Sequence, residues 1–221
     1  IKHSVILSNA QSSANYLGVV GLELPTTTAS NSNDTVQNNE ISSYGYYSAY
    51  GVYQSGSATM PGTNNAIIGN YIHDLSDAGV YDAQYSSNMM ISGNDIVDYS
   101  QTATSYGIYS NSTGNKHIVG NNIYQTTSIS SSKQYGIDIA TAPPSGIGDS
   151  VYNNFIGGTQ AGAGGSAWTN TYSGATFYGI YYIKSGGVTA NIFGNTVGNI
   201  AIGTTTGSNT FYGINVAGGA A

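Results

Sequence analysis

Ten acidic side chains are the main source of acid/base or metal chemistry in this 221-residue sequence, which has four cations, three histidines and no cysteine. Carboxylates do such work when they converge. Asp74 and Asp98 each fall two residues after an aliphatic residue, Ile72 and Ile96, and Asp77, Asp82 and His73 are close by in the chain. If those two places are equivalent in a repeat, the two carboxylates stack on neighbouring coils. They could then serve as the acid/base pair of a glycan-cleaving enzyme or bind Ca²⁺ through oxygen ligands. The plainer reading is a set of solvated loop carboxylates. A lyase acting on uronic acids also needs a basic group to neutralise its substrate, and no arginine exists anywhere in the chain. His3 and His117 have no metal-ligand spacing.

Aromatic residues offer a second kind of site. Tyr53, Tyr81 and Tyr109 follow Val52, Val80 and Ile108, so strand alternation sends the rings outward where the aliphatics go inward. This predicts a three-coil aromatic stripe, resumed at Tyr181 after Asp138. Flat rings suit sugar faces, although they would also stack for stability alone. The tyrosine that precedes each glycine in the same row is expected to point inward or fill a corner. Trp168, with Tyr172 and Phe177, marks the longest inserted segment, residues 157–177, as a second candidate ligand-binding element. Loops on rigid scaffolds often bind, but these aromatics could equally cover the loop's own backbone. Threonines 26–28 and 204–206 lie in irregular segments and give no regular array.

A repeat must position these groups. An asparagine framed by aliphatic residues recurs at Asn39, Asn70, Asn94, Asn121, Asn154 and Asn195. A second row follows each one, as in Tyr106-Gly-Ile-Tyr109 and Tyr178-Gly-Ile-Tyr181. Its glycines, Gly51, Gly79, Gly107, Gly136, Gly179 and Gly213, are 28, 28, 29, 43 and 34 residues apart. Constant short strands with variable spacing mean that one corner of each coil carries the insertions. The asparagines, or the Gly or Asn before each of them, are expected to take left-handed backbone angles at a sharp bend and to bond from coil to coil. The aliphatic residues form inward columns. The sequence therefore predicts an all-β fold, a right-handed parallel β-helix solenoid of about seven coils with an asparagine ladder, running as a single segment over residues 1–221. In the first coil Asn9 fits the ladder, with Gln11 in the aliphatic place and either Gly18 or Gly21 as the row glycine.

Composition narrows the partners. Charged residues make up 6% of the chain, against 31 glycines and 20 tyrosines, and the formal net charge is -6. So few cations argue against nucleic acid, which needs Lys/Arg to neutralise phosphate, and against anionic polysaccharide. No apolar run is long enough for a membrane span. The polar, lysine-poor surface points to export: extracellular, cell surface or secreted.

The stretches Phe177-Tyr-Gly-Ile-Tyr181, Ala190-Asn-Ile-Phe-Gly-Asn195 and Phe211-Tyr-Gly-Ile-Asn215 resemble the right-handed β-helix repeats of large bacterial cell-surface proteins, including adhesin-like chains exported by the type 9 secretion system. That resemblance implies secretion, repetition and surface attachment. It implies a structural or adhesive role ahead of an enzymatic one. Asp34-Thr35-Val36 and Asp149-Ser150-Val151 are similar to a bacterial O-glycosylation motif, which makes Thr35 and Ser150 candidate glycosylation sites. Strand-like residues at both ends, Val5-Ile-Leu7 and Tyr212 to Val216, lead us to expect further coils of the same chain or copies of it stacked end to end, with surface glycans as the other partner class.

Overall fold

The computed structural model describes residues 1–8, 18–22, 31–44, 47–144, 146, 148–184, 188–203 and 207–218. Asn9, Gln11 and the threonines at 26–28 and 204–206 lie outside them. The chain winds as a parallel β-solenoid with three faces, and every strand pairs with its counterpart one coil on.

The first face has six short strands, Thr35–Gln37, Ala66–Ile68, Met89–Ser92, Lys116–Val119, Ser150–Tyr152 and Asn191–Phe193. After the ladder bend comes a second face of seven strands: Val5–Ser8, Glu40–Ser43, Tyr71–His73, Asp95–Val97, Asn122–Tyr124, Phe155–Ile156 and Thr196–Val197. The third face carries the longer strands Gly18–Leu22, Tyr50–Ser55, Ala78–Gln84, Thr104–Ser110, Lys133–Ile139, Thr176–Lys184 and Thr210–Gly218. Six turns thus have all three faces. The turn before them meets the first face through the bridge between Lys2 and Gln37 and through the Ile1 amine, which donates to the Thr35 carbonyl at 2.8 Å.

The asparagine ladder is continuous. In each rung the Oδ1 of one asparagine accepts both the backbone N–H and the Nδ2 of the asparagine before it, as Asn94 does from Asn70 at 2.9 and 3.0 Å. The second Nδ2 hydrogen goes to a main-chain carbonyl of the preceding coil, from Asn94 to Ile67 at 2.9 Å. The same pattern joins Asn39 to Asn70, Asn94 to Asn121, Asn121 to Asn154 and Asn154 to Asn195. The left-handed angle belongs to the residue before the ladder: Asn38, Gly69, Gly93, Gly120, Asn153 and Gly194 have φ between 54° and 66°. The ladder asparagines themselves do not, so their work is hydrogen bonding alone.

Two expectations for the first coil need correction. Ile6 pairs with Ile41, which puts Ser4 rather than Asn9 in the ladder position; Ser4 N–H donates to Asn39 Oδ1 at 2.9 Å. On the third face Gly18 pairs with Tyr50 and Val20 with Val52, so Val19 stands opposite Gly51 and neither Gly18 nor Gly21 is the row glycine.

The row glycines are there for space. A Cβ on Gly79 would lie 2.3 Å from Ile96 Cγ2 and 2.8 Å from the Gly107 carbonyl, and Gly51, Gly107, Gly136 and Gly179 would meet the same kinds of atom. The third face here touches the aliphatic column of the second. Inside, Ile41, Ile72, Ile96, Ile123 and Ile156 are fully buried, as are Val52, Val80, Ile108, Ile137 and Ile180. Ile214, expected in the last rung of that column, is 49% exposed because its strand is paired on one side only.

Two substitutions separate the bend from the ladder. Asn94→Ala leaves the Asn70 amides without their acceptor and should cost about 2–4 kcal/mol in chemical denaturation. Gly93→Asn, at an open left-handed position where Asn is tolerated, should cost less than about 1 kcal/mol.

Candidate functional site

The third face gathers the aromatic chemistry. In the strands Tyr50–Ser55, Thr104–Ser110 and Thr176–Lys184 the row glycine and the aliphatic residue after it both turn inward, and the tyrosines before and after that pair both turn outward, like the side chains around a β-bulge. The ring of Tyr106 therefore meets Tyr109 at 4.6 Å, and Tyr178 meets Tyr181 at 5.1 Å. The tyrosine of the Tyr-Gly pair is thus an outward residue, not an inward or corner one. Two parallel columns result.

In one column Tyr106, Tyr135, Tyr178 and Tyr212 stack at 5.0, 4.9 and 5.0 Å with interplanar angles of 14° or less. The other aligns Tyr53, Tyr81, Tyr109, Asp138 and Tyr181 in register. Rings stacked along the axis cover one another's faces and show solvent their edges and hydroxyls. Within the columns a ring is missing at Ala78 and at Asp138, and beyond Tyr53 and Tyr181 the second column continues as Gly21 and Asn215. The Ala78 gap is closed by Tyr81, whose ring packs against Tyr50 at 4.7 Å.

Asp138 is the polar centre of this face. It is 5% exposed, its Oδ1 has no hydrogen-bond partner, and desolvation pushes its carboxyl up to about 7 against a weak opposing field from Lys133. Asp77, bonded to Tyr50, is pushed up to about 6 by the same cause. Burial, with Tyr109 next, raises Tyr81 to about 12. Sequence reasoning treated Asp138 as an interruption of the stripe. The signal for more was an acid in a column whose rungs on either side are tyrosine.

Asp74 and Asp98 do occupy one corner on neighbouring coils, and the backbone gives a sufficient reason for them. Both are left-handed, φ 56° and 48°, at the place where Gly158 and Asn199 stand in later coils. Their carboxylates have separate partners: Asp74 Oδ2 meets His73 Nδ1 at 2.7 Å, and Asp98 accepts the backbone N–H of Thr126 at 2.8 Å and bonds its hydroxyl. Among the described residues no three His, Asp or Glu side chains form a group that could hold a metal ion, so Ca²⁺ at this corner would need ligands beyond these two.

Trp168 is fully buried in the strand Trp168–Asn170, edge to face with Tyr99 at 5.9 Å and Phe177 at 5.2 Å. The inserted segment brings its indole into the core, away from any ligand at the surface. Thr35 and Ser150 lie half-buried beside the inward Val36 and Val151.

A buried charge cluster went unnoticed in the sequence. Lys116, Asp149 and Asp82 are all fully buried; Lys116 N–H donates to Asp149 Oδ1 at 2.8 Å, its Nζ donates to the carbonyls of Ser112 and Thr141, and Ser110 Oγ donates to Asp82 at 2.7 Å. Desolvation lowers the Lys116 pKa and raises both carboxyls.

The family model for the right handed beta helix region matches residues 26–177. No curated protein and no solved structure matches the chain.

Carboxyls whose folded pKa lies above the unfolded value stabilise most below the unfolded value, and that contribution fades as pH rises through the folded one. For Asp77 and Asp138 the window runs from about 4 to about 7. The melting temperature should therefore fall between pH 5 and pH 8, and Asp138→Asn should flatten the fall.

Proposed function

This chain belongs to the right handed beta helix family, and from that premise we propose that it is an extracellular structural or adhesive solenoid whose tyrosine face contacts neutral glycans. The observation that carries the reading is the double tyrosine column on the third face. It runs along the solenoid axis with a ring about every 5 Å and offers an extended polymer a row of hydroxyls and ring edges, with ring faces at a break. Tyrosine combines a large apolar body with a polar tip, which suits contact with sugars. A cation-poor surface supports neutral ligands over anionic ones. At Asp74 and Asp98 nothing in the geometry favours cleavage, since each carboxylate has its own partner.

A glycan array followed by analysis for cleaved products tests the reading. We expect binding without cleavage, weakened roughly three- to tenfold by Tyr81→Ala. Cleavage that disappears in Asp74→Asn or Asp98→Asn would replace the adhesive reading with an enzymatic one.

A further inference from the structure

Asp138 is a break in a column of rings, and its buried Oδ1 has no hydrogen-bond partner. Its strand pairs with those of Tyr109 and Tyr181 on either side, so these two tyrosines are two coil steps apart, about 9.6 Å at ordinary strand spacing. The missing ring leaves a notch in the column that neighbouring tyrosines close over, so that the carboxylate beneath is 5% exposed. Tyr106 and Tyr178 flank it from the neighbouring coils and Tyr135 from its own strand. Tyr135 and Tyr181 meet edge to face at 5.8 Å beside it, so a ligand enters by turning one of these rings.

The geometry points to a specific occupant: we propose that the Asp138 notch binds the protonated amine of a deacetylated amino-sugar unit within a glycan, with the carboxylate as counter-ion and the tyrosines as walls. The inference rests on the glycan reading of this face and departs from it at one position, where a cationic sugar unit takes the place of a neutral one. A carboxylate that is 5% exposed and has an unpartnered oxygen is poorly served by a sugar hydroxyl, which leaves the charge uncompensated. An ammonium group supplies a charge-assisted hydrogen bond to the acid and is attracted to tyrosine faces. The only cation whose field reaches Asp138 is Lys133, which lies exposed at the start of the same strand. At long range the net charge of -6 draws a polycationic polymer and repels an anionic one.

The test compares binding of glucosamine oligomers and N-acetylglucosamine oligomers of equal length at pH 7 to the wild type, Asp138→Asn and Tyr81→Ala. We expect the wild type to prefer the free amine, and Asp138→Asn to lose roughly tenfold or more on the amine oligomer alone. The Asn variant keeps the shape and removes a buried charge, so it should fold; an unchanged circular dichroism spectrum verifies this. Equal wild-type affinity for the two oligomers, or a preference that survives in Asp138→Asn, overturns the inference. Tyr81→Ala weakening of the acetylated oligomer would then leave the glycan reading standing. No wild-type binding to either oligomer overturns the inference, while the glycan array decides the broader reading by itself. Oligolysine bound as tightly as the amine sugar, with the same Asp138 dependence, overturns the sugar assignment.

Discussion

Everything in this molecule follows from placing the same residue position directly above itself, once per coil, at strand spacing. A side chain is therefore selected mainly by how it interacts with a copy of itself. Asparagine does this well because its amide is donor and acceptor at once: from Asn70 to Asn195 each Oδ1 takes two bonds from the asparagine before it, and from Asn39 to Asn154 each Nδ2 gives one to the next Oδ1 and one to a main-chain carbonyl. Buried polar groups are tolerable only when satisfied, and this arrangement satisfies the amides for as long as the column continues. Branched aliphatics self-stack by packing, and tyrosines by offset rings. The ladder, the core columns and the aromatic face are three solutions to one constraint.

That constraint explains what could be read from the sequence. Ladder asparagines and aliphatic columns were legible because they recur at matching places, and repetition survives the insertions that spoil simple periodicity. Residues chosen by a contact between faces were less legible. Gly79 is a glycine because Ile96 and the next coil's carbonyl occupy the space of its Cβ, and no spacing rule along the chain expresses that. The two consecutive inward residues at Gly107 and Ile108 break simple alternation, which is why the tyrosine before the glycine was assigned to the wrong side. Nor did the sequence separate two uses of acid. Asp74 and Asp98 stand out because they repeat, yet both sit at left-handed backbone positions, a conformation that Asp tolerates better than most residues.

The inserted segment between residues 157 and 177 taught a similar lesson about loops. Length and a lone tryptophan suggested an excursion towards a ligand. Instead the chain forms the strand Trp168–Asn170, paired with Ile200–Ile202, and delivers the indole into the core. Asn170 continues the coil-to-coil logic there, donating to the Ser131 carbonyl at 2.7 Å and to Gln134 at 3.0 Å. An insertion that adds apolar surface is most easily stabilised by burying it against the coils it already touches.

Charge is the one property that stacking penalises. Two like charges one coil apart repel by about 1 kcal/mol in water and about 4 kcal/mol near a protein surface, and a column multiplies the cost at every step. A chain built of self-stacking columns therefore sheds its charged residues, which accounts for a content of 6% better than solubility or compartment does. The buried exceptions obey the same rule. Lys116 stands in the position that Asp149 occupies one coil on, and the two meet as opposite charges, with Nζ 4.0 Å from Oδ1. Asp138 has tyrosines above and below it, so it meets no like charge in its column, and Lys133 is the one cation whose field reaches it. Lys116 is matched by an opposite charge one coil on, whereas Asp138 is held by burial that favours its neutral form.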